Sequence, residues 1–138
     1  MSTEKNKTNV RRVSEEVLNK GNLSIIPELI APNFVFHTTS EVKGPEGLKQ
    51  SFTAMRTAFP DYHETIDHMV AEGDMVASFV TMQGTFKGEV AGIAPTGKKM
   101  TIKNVNLTRF KDGKQVETWS YSDSLTYYRQ LGIPIPPQ

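Results

Sequence analysis

Arg109-Phe110-Lys111-Asp112-Gly113-Lys114-Gln115-Val116-Glu117-Thr118-Trp119-Ser120-Tyr121-Ser122-Asp123 is the stretch whose reading decides the fold. Two alternating segments meet at Asp112-Gly113, and a tight primed turn needs positive φ, which glycine takes freely and aspartate tolerates. A two-residue loop there predicts a hairpin in which Lys111 faces Lys114, Phe110 faces Gln115, Thr108 faces Glu117, Asn106 faces Trp119 and Asn104 faces Tyr121. With a side-chain period of two and no bulge, Asn104, Asn106, Trp119, Tyr121 and Asp123 share one face of the sheet. A carboxylate beside two amides and two aromatics resembles the lining of a small-molecule pocket more than an ordinary core.

The alternating pattern extends back to Tyr62 and predicts strands at 62–71, 75–86, 100–110 and 114–121. Glu72-Gly73-Asp74 joins the first two as a hairpin, and the Gly- and Pro-bearing segment 88–99 reads as a loop. Before Tyr62 the period is helical. Val10, Val13, Val17 and Leu18 predict a helix from Thr8 that Gly21 ends. Leu23, Ile26, Leu29 and Ile30 predict a shorter helix with Pro27 in its first turn and Pro32 past its end, leading into a strand at 34–37. Pro45 and Glu46 open a third helix with the stripe Leu48, Phe52, Met55 and Phe59. The last helix covers 124–131 and stops at Gly132. Helices first and a mostly antiparallel sheet afterwards give an α+β class, with the helices over one face of a curved sheet.

A chain of 138 residues is expected to form one domain, 1–138, with 1–7 and 133–138 as flexible or extended tails. It has no cysteine, which excludes disulfides, a thiol nucleophile and a thiolate metal site and makes a reducing cytoplasm the expected compartment. No apolar run approaches the ~20 residues of a membrane span. The formal charge is +1 with both signs interspersed, so neither nucleic acid nor an anionic membrane is an expected partner. Thr96-Gly97-Lys98 lacks the Ser or Thr and the following helix of a phosphate loop. Ser120 and Ser122 have no His and Asp arrangement to activate them. His63 and His68, five apart on one strand, are expected on opposite faces, and no His, Asp or Glu cluster has metal-ligand spacing.

Several motifs in order carry a family resemblance: Gly44-Pro45-Glu46-Gly47, Ala58-Phe59-Pro60-Asp61, Ala71-Glu72-Gly73-Asp74, Gly84-Thr85-Phe86, Gly92-Ile93-Ala94-Pro95-Thr96-Gly97-Lys98, Arg109 to Lys114, Glu117-Thr118-Trp119 with Asp123, and Gln130-Leu131-Gly132. Together, from about Val10 to Gly132, the chain resembles the SnoaL-like polyketide cyclases. The resemblance implies a nuclear-transport-factor-two-like cone, a bent sheet wrapped by helices around a deep pocket, as a homodimer or larger assembly. Ketosteroid isomerase, scytalone dehydratase and limonene epoxide hydrolase are similar in fold and unlike in reaction. The family's cyclases close a ring by intramolecular aldol condensation, with no metal or organic cofactor and with an aspartate as acid/base. By motif that aspartate is Asp123.

Asp123 is thus the candidate acid/base, with a second reading as the N-cap of the helix that starts at Ser124. His37 matches a position where the family commonly has histidine and is a second proton-transfer candidate, with a structural role as the alternative. Asn104 and Asn106 can donate to a substrate oxygen, or lie on a face open to solvent or a partner subunit. Tyr121 and Trp119 can stack on a flat ligand, although for Trp119 packing is the simpler role. The chain departs from the family at Phe86, where histidine is frequent, at Phe79, where arginine is common, and over 101–110, which lacks histidine. Phe79 and Phe86 then make the implied pocket more apolar, suited to a small hydrophobic ligand. Acid/base chemistry on a carbonyl compound, a non-catalytic carrier of the same fold and a dimerising interaction module with a collapsed pocket are the functions compatible with these residues.

Overall fold

Asp112 and Gly113 both adopt positive φ, 51° and 79°, in the computed structural model of the protein, which describes residues 2–137. The turn pairs Lys111 with Lys114 and Phe110 with Gln115, as the sequence predicts. The next pair is Arg109 with Glu117, so Val116 is an extra residue and every pair beyond it shifts by one. Thr108 faces Thr118, Leu107 faces Trp119, Asn106 faces Ser120, Val105 faces Tyr121 and Asn104 faces Ser122. This bulge corrects the expected face. The serines, not Trp119 and Tyr121, lie beside Asn104 and Asn106. Its physical basis is burial: Gln115 and Val116 are both buried, which two consecutive residues of a regular half-buried strand cannot be.

The elements are α1 (Thr3–Arg12), a π-helical continuation (Val13–Asn19), a 3-10 turn (Leu23–Ile25), α2 (Ile26–Leu29), β1 (Ile30–His37), β2 (Glu41–Lys43), α3 (Gly44–Ala58), β3 (His63–Glu72), β4 (Met75–Thr85), β5 (Lys99–Lys111), β6 (Lys114–Ser122) and α4 (Ser124–Leu131). The architecture is α+β, with one six-stranded curved sheet in the order β2-β1-β6-β5-β4-β3. Only β1 and β6 run parallel. Three boundaries differ from expectation. The first helix starts at Thr3 because Ser2 caps it, accepting from the Lys5 amide, so 3–7 is helix and not tail. Strand β1 starts at Ile30, not Phe34, and contains Pro32, and the short strand β2 is not among the expected elements. Met1 and Gln138, the ends of the expected tails, lie outside the described residues.

A second bulge, at Asp67, puts His63 opposite Gln83 and His68 opposite Phe79, so the two histidines share one face instead of opposing each other. On the inner face the largest buried side chains are Phe34 and Phe86, in a cluster with Leu48, Phe52, Phe59 and Leu131. Phe86 packs on Phe59 at a centroid distance of 5.8 Å. It is a core residue, which corrects its expected place in the ligand pocket. Nearby, the chain after β4 passes so close to the end of α3 that a Cβ on Gly88 would stand 2.2 Å from the Thr57 carbonyl oxygen. Gly88→Ala is therefore expected to lower stability by about 1–3 kcal/mol through overpacking, read as a drop in Tm in thermal denaturation.

Candidate active site

Three strands present a polar strip to the helices. Ser78 of β4, Asn106 of β5 and Ser120 of β6 form one row across the sheet, and Asn104 and Ser122 stand in the next. Asn104 accepts from Ser122 at 2.5 Å and Ser120 at 3.3 Å and donates to the Asn106 side-chain oxygen at 3.1 Å. No hydrogen bond of the Asn106 amide nitrogen is found among the described residues. A row below, Thr108 and Thr118 share a 3.0 Å bond, and Gln115 donates to Asn9 at 2.9 Å. The strip lines a cavity of about 220 Å³ whose other walls are Phe34, Phe36, Leu48, Phe52, Met55 and Met82. Its surface is apolar with a few converged amides and hydroxyls, the composition of a small-molecule site.

Among the cavity's lining residues, Glu64 alone bears a carboxylate, and no lysine, arginine or histidine joins it. It is 6% exposed. One carboxylate oxygen accepts from Tyr62 Oη at 2.9 Å and the other accepts from Ser14 Oγ in a short bond. Burial pushes the Glu64 carboxyl above the usual carboxylate range, against the two hydroxyl donors, which act in the opposite sense. Burial raises the Tyr62 hydroxyl as well, helped by the Glu64 charge, so the phenol stays a donor. The backbone of Glu64 is held too: Asn19 donates to its carbonyl at 2.8 Å and accepts from its amide at 2.7 Å. Ser14 and Asn19 are five residues apart, and the π-helical repeat brings residues at that spacing onto one side, where an α-helix would splay them. The local irregularity of the first helix is thus what grips Glu64 at both side chain and backbone.

A family model described as SnoaL-like polyketide cyclase matches residues 8–131. The protein belongs to that family. DauD of Streptomyces sp. (strain C5), an aklanonic acid methyl ester cyclase, is 30% identical over 114 residues, covering 81% of this chain and 70% of DauD. AcmA of Streptomyces galilaeus, which carries the same activity in its name, is 29% identical over 131 residues, covering 92% of this chain and 90% of AcmA. The crystal structure of IdmH from Streptomyces antibioticus matches with a TM-score of 0.80 at 30% identity, over 93% of this chain and 99% of IdmH.

In this SnoaL-like chain the residues expected from motif divide between two faces. Asn104 and Asn106 line the cavity. Asp123 does not: it is exposed, caps α4 by accepting from the Thr126 amide at 3.2 Å and the Thr126 hydroxyl at 2.6 Å, and its carboxyl is held low by those bonds. The cap reading therefore describes its place, because β6 ends one residue before it and the bulge has turned its face outward. His37, Trp119, Tyr121 and Phe79 lie on the outer face of the sheet, which corrects their placement as pocket residues. There His37 stacks on Trp119 at 5.4 Å and binds Glu117 at 2.7 Å, while Glu117 also accepts from Arg109 at 3.0 Å. Tyr121 is 69% exposed.

Glu64 and Ser14 escaped the sequence reading although both carried a signal. Glu64 sits between Tyr62 and Ile66 at period two, which assigns it to the buried face, and Ser14 sits on the Val10, Val17, Leu18 stripe of the first helix. Because the folded state raises the Glu64 pKa, its contribution to stability is full below the unfolded carboxylate value and is lost as pH rises through the folded value. Glu64→Gln is expected to remove that decline. Denaturant unfolding from pH 4 to 8 should show a smaller fall in stability with rising pH than in the wild type; an unchanged profile would mean that Glu64 does not carry it.

Proposed function

We propose that this protein is an enzyme that performs cofactor-independent acid/base chemistry on a small hydrophobic carbonyl compound, with Glu64 as its base. The observation that carries this reading is a lone buried carboxylate with a raised pKa in an apolar cavity that also offers an amide donor. Glu64 takes a proton from the carbon α to the carbonyl, and the electron pair moves to the carbonyl oxygen, where Asn106 Nδ2 donates to the developing enolate. Glu64 then returns the proton, to another carbon in an isomerisation or to the new alkoxide after aldol-type ring closure. Hydration of a conjugated carbonyl uses the same two groups. Glu64 stands opposite Met82 of β4 and Asn106 opposite Ser78, so their backbones are separated by two strand spacings, about 10 Å, across the sheet and by four residues, about 13 Å, along it, and the substrate lies diagonally over Met82 and Ser78. The cyclase names of the relatives favour ring closure among these outcomes, and a cavity of about 220 Å³, below the ~300–1,000 Å³ usual for drug-sized ligands, favours a compact reacting unit.

The test is α-proton exchange of 2-tetralone in D₂O, followed by NMR. Wild type should accelerate exchange over buffer, Glu64→Gln should lose at least about a hundredfold of that rate while still binding the ketone, and Asp123→Asn should match wild type. Tight binding with no exchange by wild type would replace the enzyme with the carrier of the same fold.

The outer face supports the family's implied assembly. Phe79, Val105 and Tyr121 form one row and Leu107, Trp119 and His37 the next, flanked by the Arg109–Glu117 pair. An apolar centre edged by both charges is self-complementary about a two-fold axis, so the proposed occupant is a second copy of this chain. Light scattering should give twice the 15.4 kDa protomer mass, and Leu107→Lys with Tyr121→Lys should give the protomer. A monomeric wild type would overturn the pairing.

A further inference from the structure

Glu64 borders two spaces. Besides the apolar cavity, it lines a more polar groove of about 470 Å³ between the π-helical segment and β3, the edge strand of the sheet. The groove's other titratable residues are Arg11, Glu15, His63, Asp67 and His68, and Ser14, Asn19 and Thr65 are polar. Ser14 and Glu64 are the two residues common to cavity and groove. Tyr62, the other hydroxyl on Glu64, lines the cavity and not the groove. The side chains that hold Glu64 therefore differ in where they lead. Tyr62 borders the apolar cavity, and Ser14 borders both the cavity and the polar groove.

We propose that Ser14 is a proton port, through which Glu64 exchanges its proton with water in the polar groove. A serine hydroxyl both donates and accepts, so its direction can follow the state of its partner. With Glu64 ionised, Ser14 donates to the carboxylate. With Glu64 protonated, the carboxylic O–H donates to Ser14 Oγ and the serine proton points to the groove. Passage moves the Glu64 proton onto Ser14 Oγ as the serine proton leaves to a groove water, and the reverse sequence reloads the acid. One proton leaves and one enters, so no other reactant is required. The π-helical turn has a reason in this scheme: it sets Ser14 over the Glu64 carboxylate while Asn19 clamps the same residue's backbone. Ser14 acts in this scheme through Glu64, as a positioning and relay residue.

The proposal rests on Glu64 as the proton-bearing group of the site, and its test needs no substrate. The purified protein is held at a pH where Glu64 is protonated, mixed rapidly with D₂O, and followed by infrared spectroscopy at the carboxylic C=O band that Glu64→Gln removes. Wild type and Tyr62→Phe should exchange at similar rates. Ser14→Ala should exchange at least tenfold more slowly, with an unchanged circular dichroism spectrum, and Ser14→Thr should restore the fast rate by restoring the hydroxyl. Equal rates in wild type and Ser14→Ala, or slowing by Tyr62→Phe in place of Ser14→Ala, would overturn the port. Fast, Ser14-dependent exchange in a protein that leaves 2-tetralone unexchanged would keep the port and remove the enzymatic reading, so the two fail separately.

Discussion

One unpaired residue, Val116, governs what this sheet offers to each side. A strand with strict alternation would point Trp119, Tyr121 and Asp123 inward beside the two asparagines. The bulge uses one residue to bury Gln115 and Val116 together, and the slip exchanges the faces of everything that follows. The interior receives Thr118, Ser120 and Ser122, which are short enough to leave a cavity and polar enough to engage Asn104. The exterior receives the aromatics. Filling the cone with Trp119 and Tyr121 would have left no room for a ligand. The cavity and the apolar outer face are therefore two results of the same backbone irregularity.

The interior then holds a cost and its compensation. An ionised carboxylate in an apolar cavity is unfavourable, and hydroxyl donors lower that cost without adding charge. Glu64 has two, and neither partner is a cation. A lysine or arginine at that distance would have fixed the carboxylate in its charged form, as Arg109 and His37 do for Glu117 on the outer face, where the Glu117 carboxyl is held low. The contrast separates two carboxylates of one sheet into different roles. Glu117 is a structural anion in a surface cluster. Glu64 is raised toward its neutral form by burial, the property the proposed acid/base chemistry needs.

The π-helical segment and the Asp67 bulge are further cases in which local geometry departs from the regular pattern near the site. The first helix reads from sequence as an ordinary amphipathic helix ending at Gly21, and its apolar stripe is indeed the buried one. What the stripe does not contain is the change of repeat that sets Ser14 and Asn19 on one side. A π-turn is marginal in isolation and is held by what it binds, here both faces of Glu64 in a strand 45 to 50 residues away.

The sequence by itself determined the class of fold, most helices and strands with their approximate limits, though not the short β2 or the π-helical repeat, the turn at Asp112-Gly113 and the family, because each rests on patterns local to a few residues: hydrophobic period, glycine and proline at turns, capping side chains. It also placed Asn104 and Asn106 on one face, which is the cavity face, since they lie on β5 and the bulge lies on β6. Only the tertiary structure decided which way Trp119, Tyr121 and Asp123 point, that Phe86 is core, and that Glu64 meets Ser14 and Tyr62. Bulges and π-turns are chosen by burial across the whole sheet, summed over contacts far apart in the chain. A period-two reading cannot register a slip whose energy lies in those distant contacts.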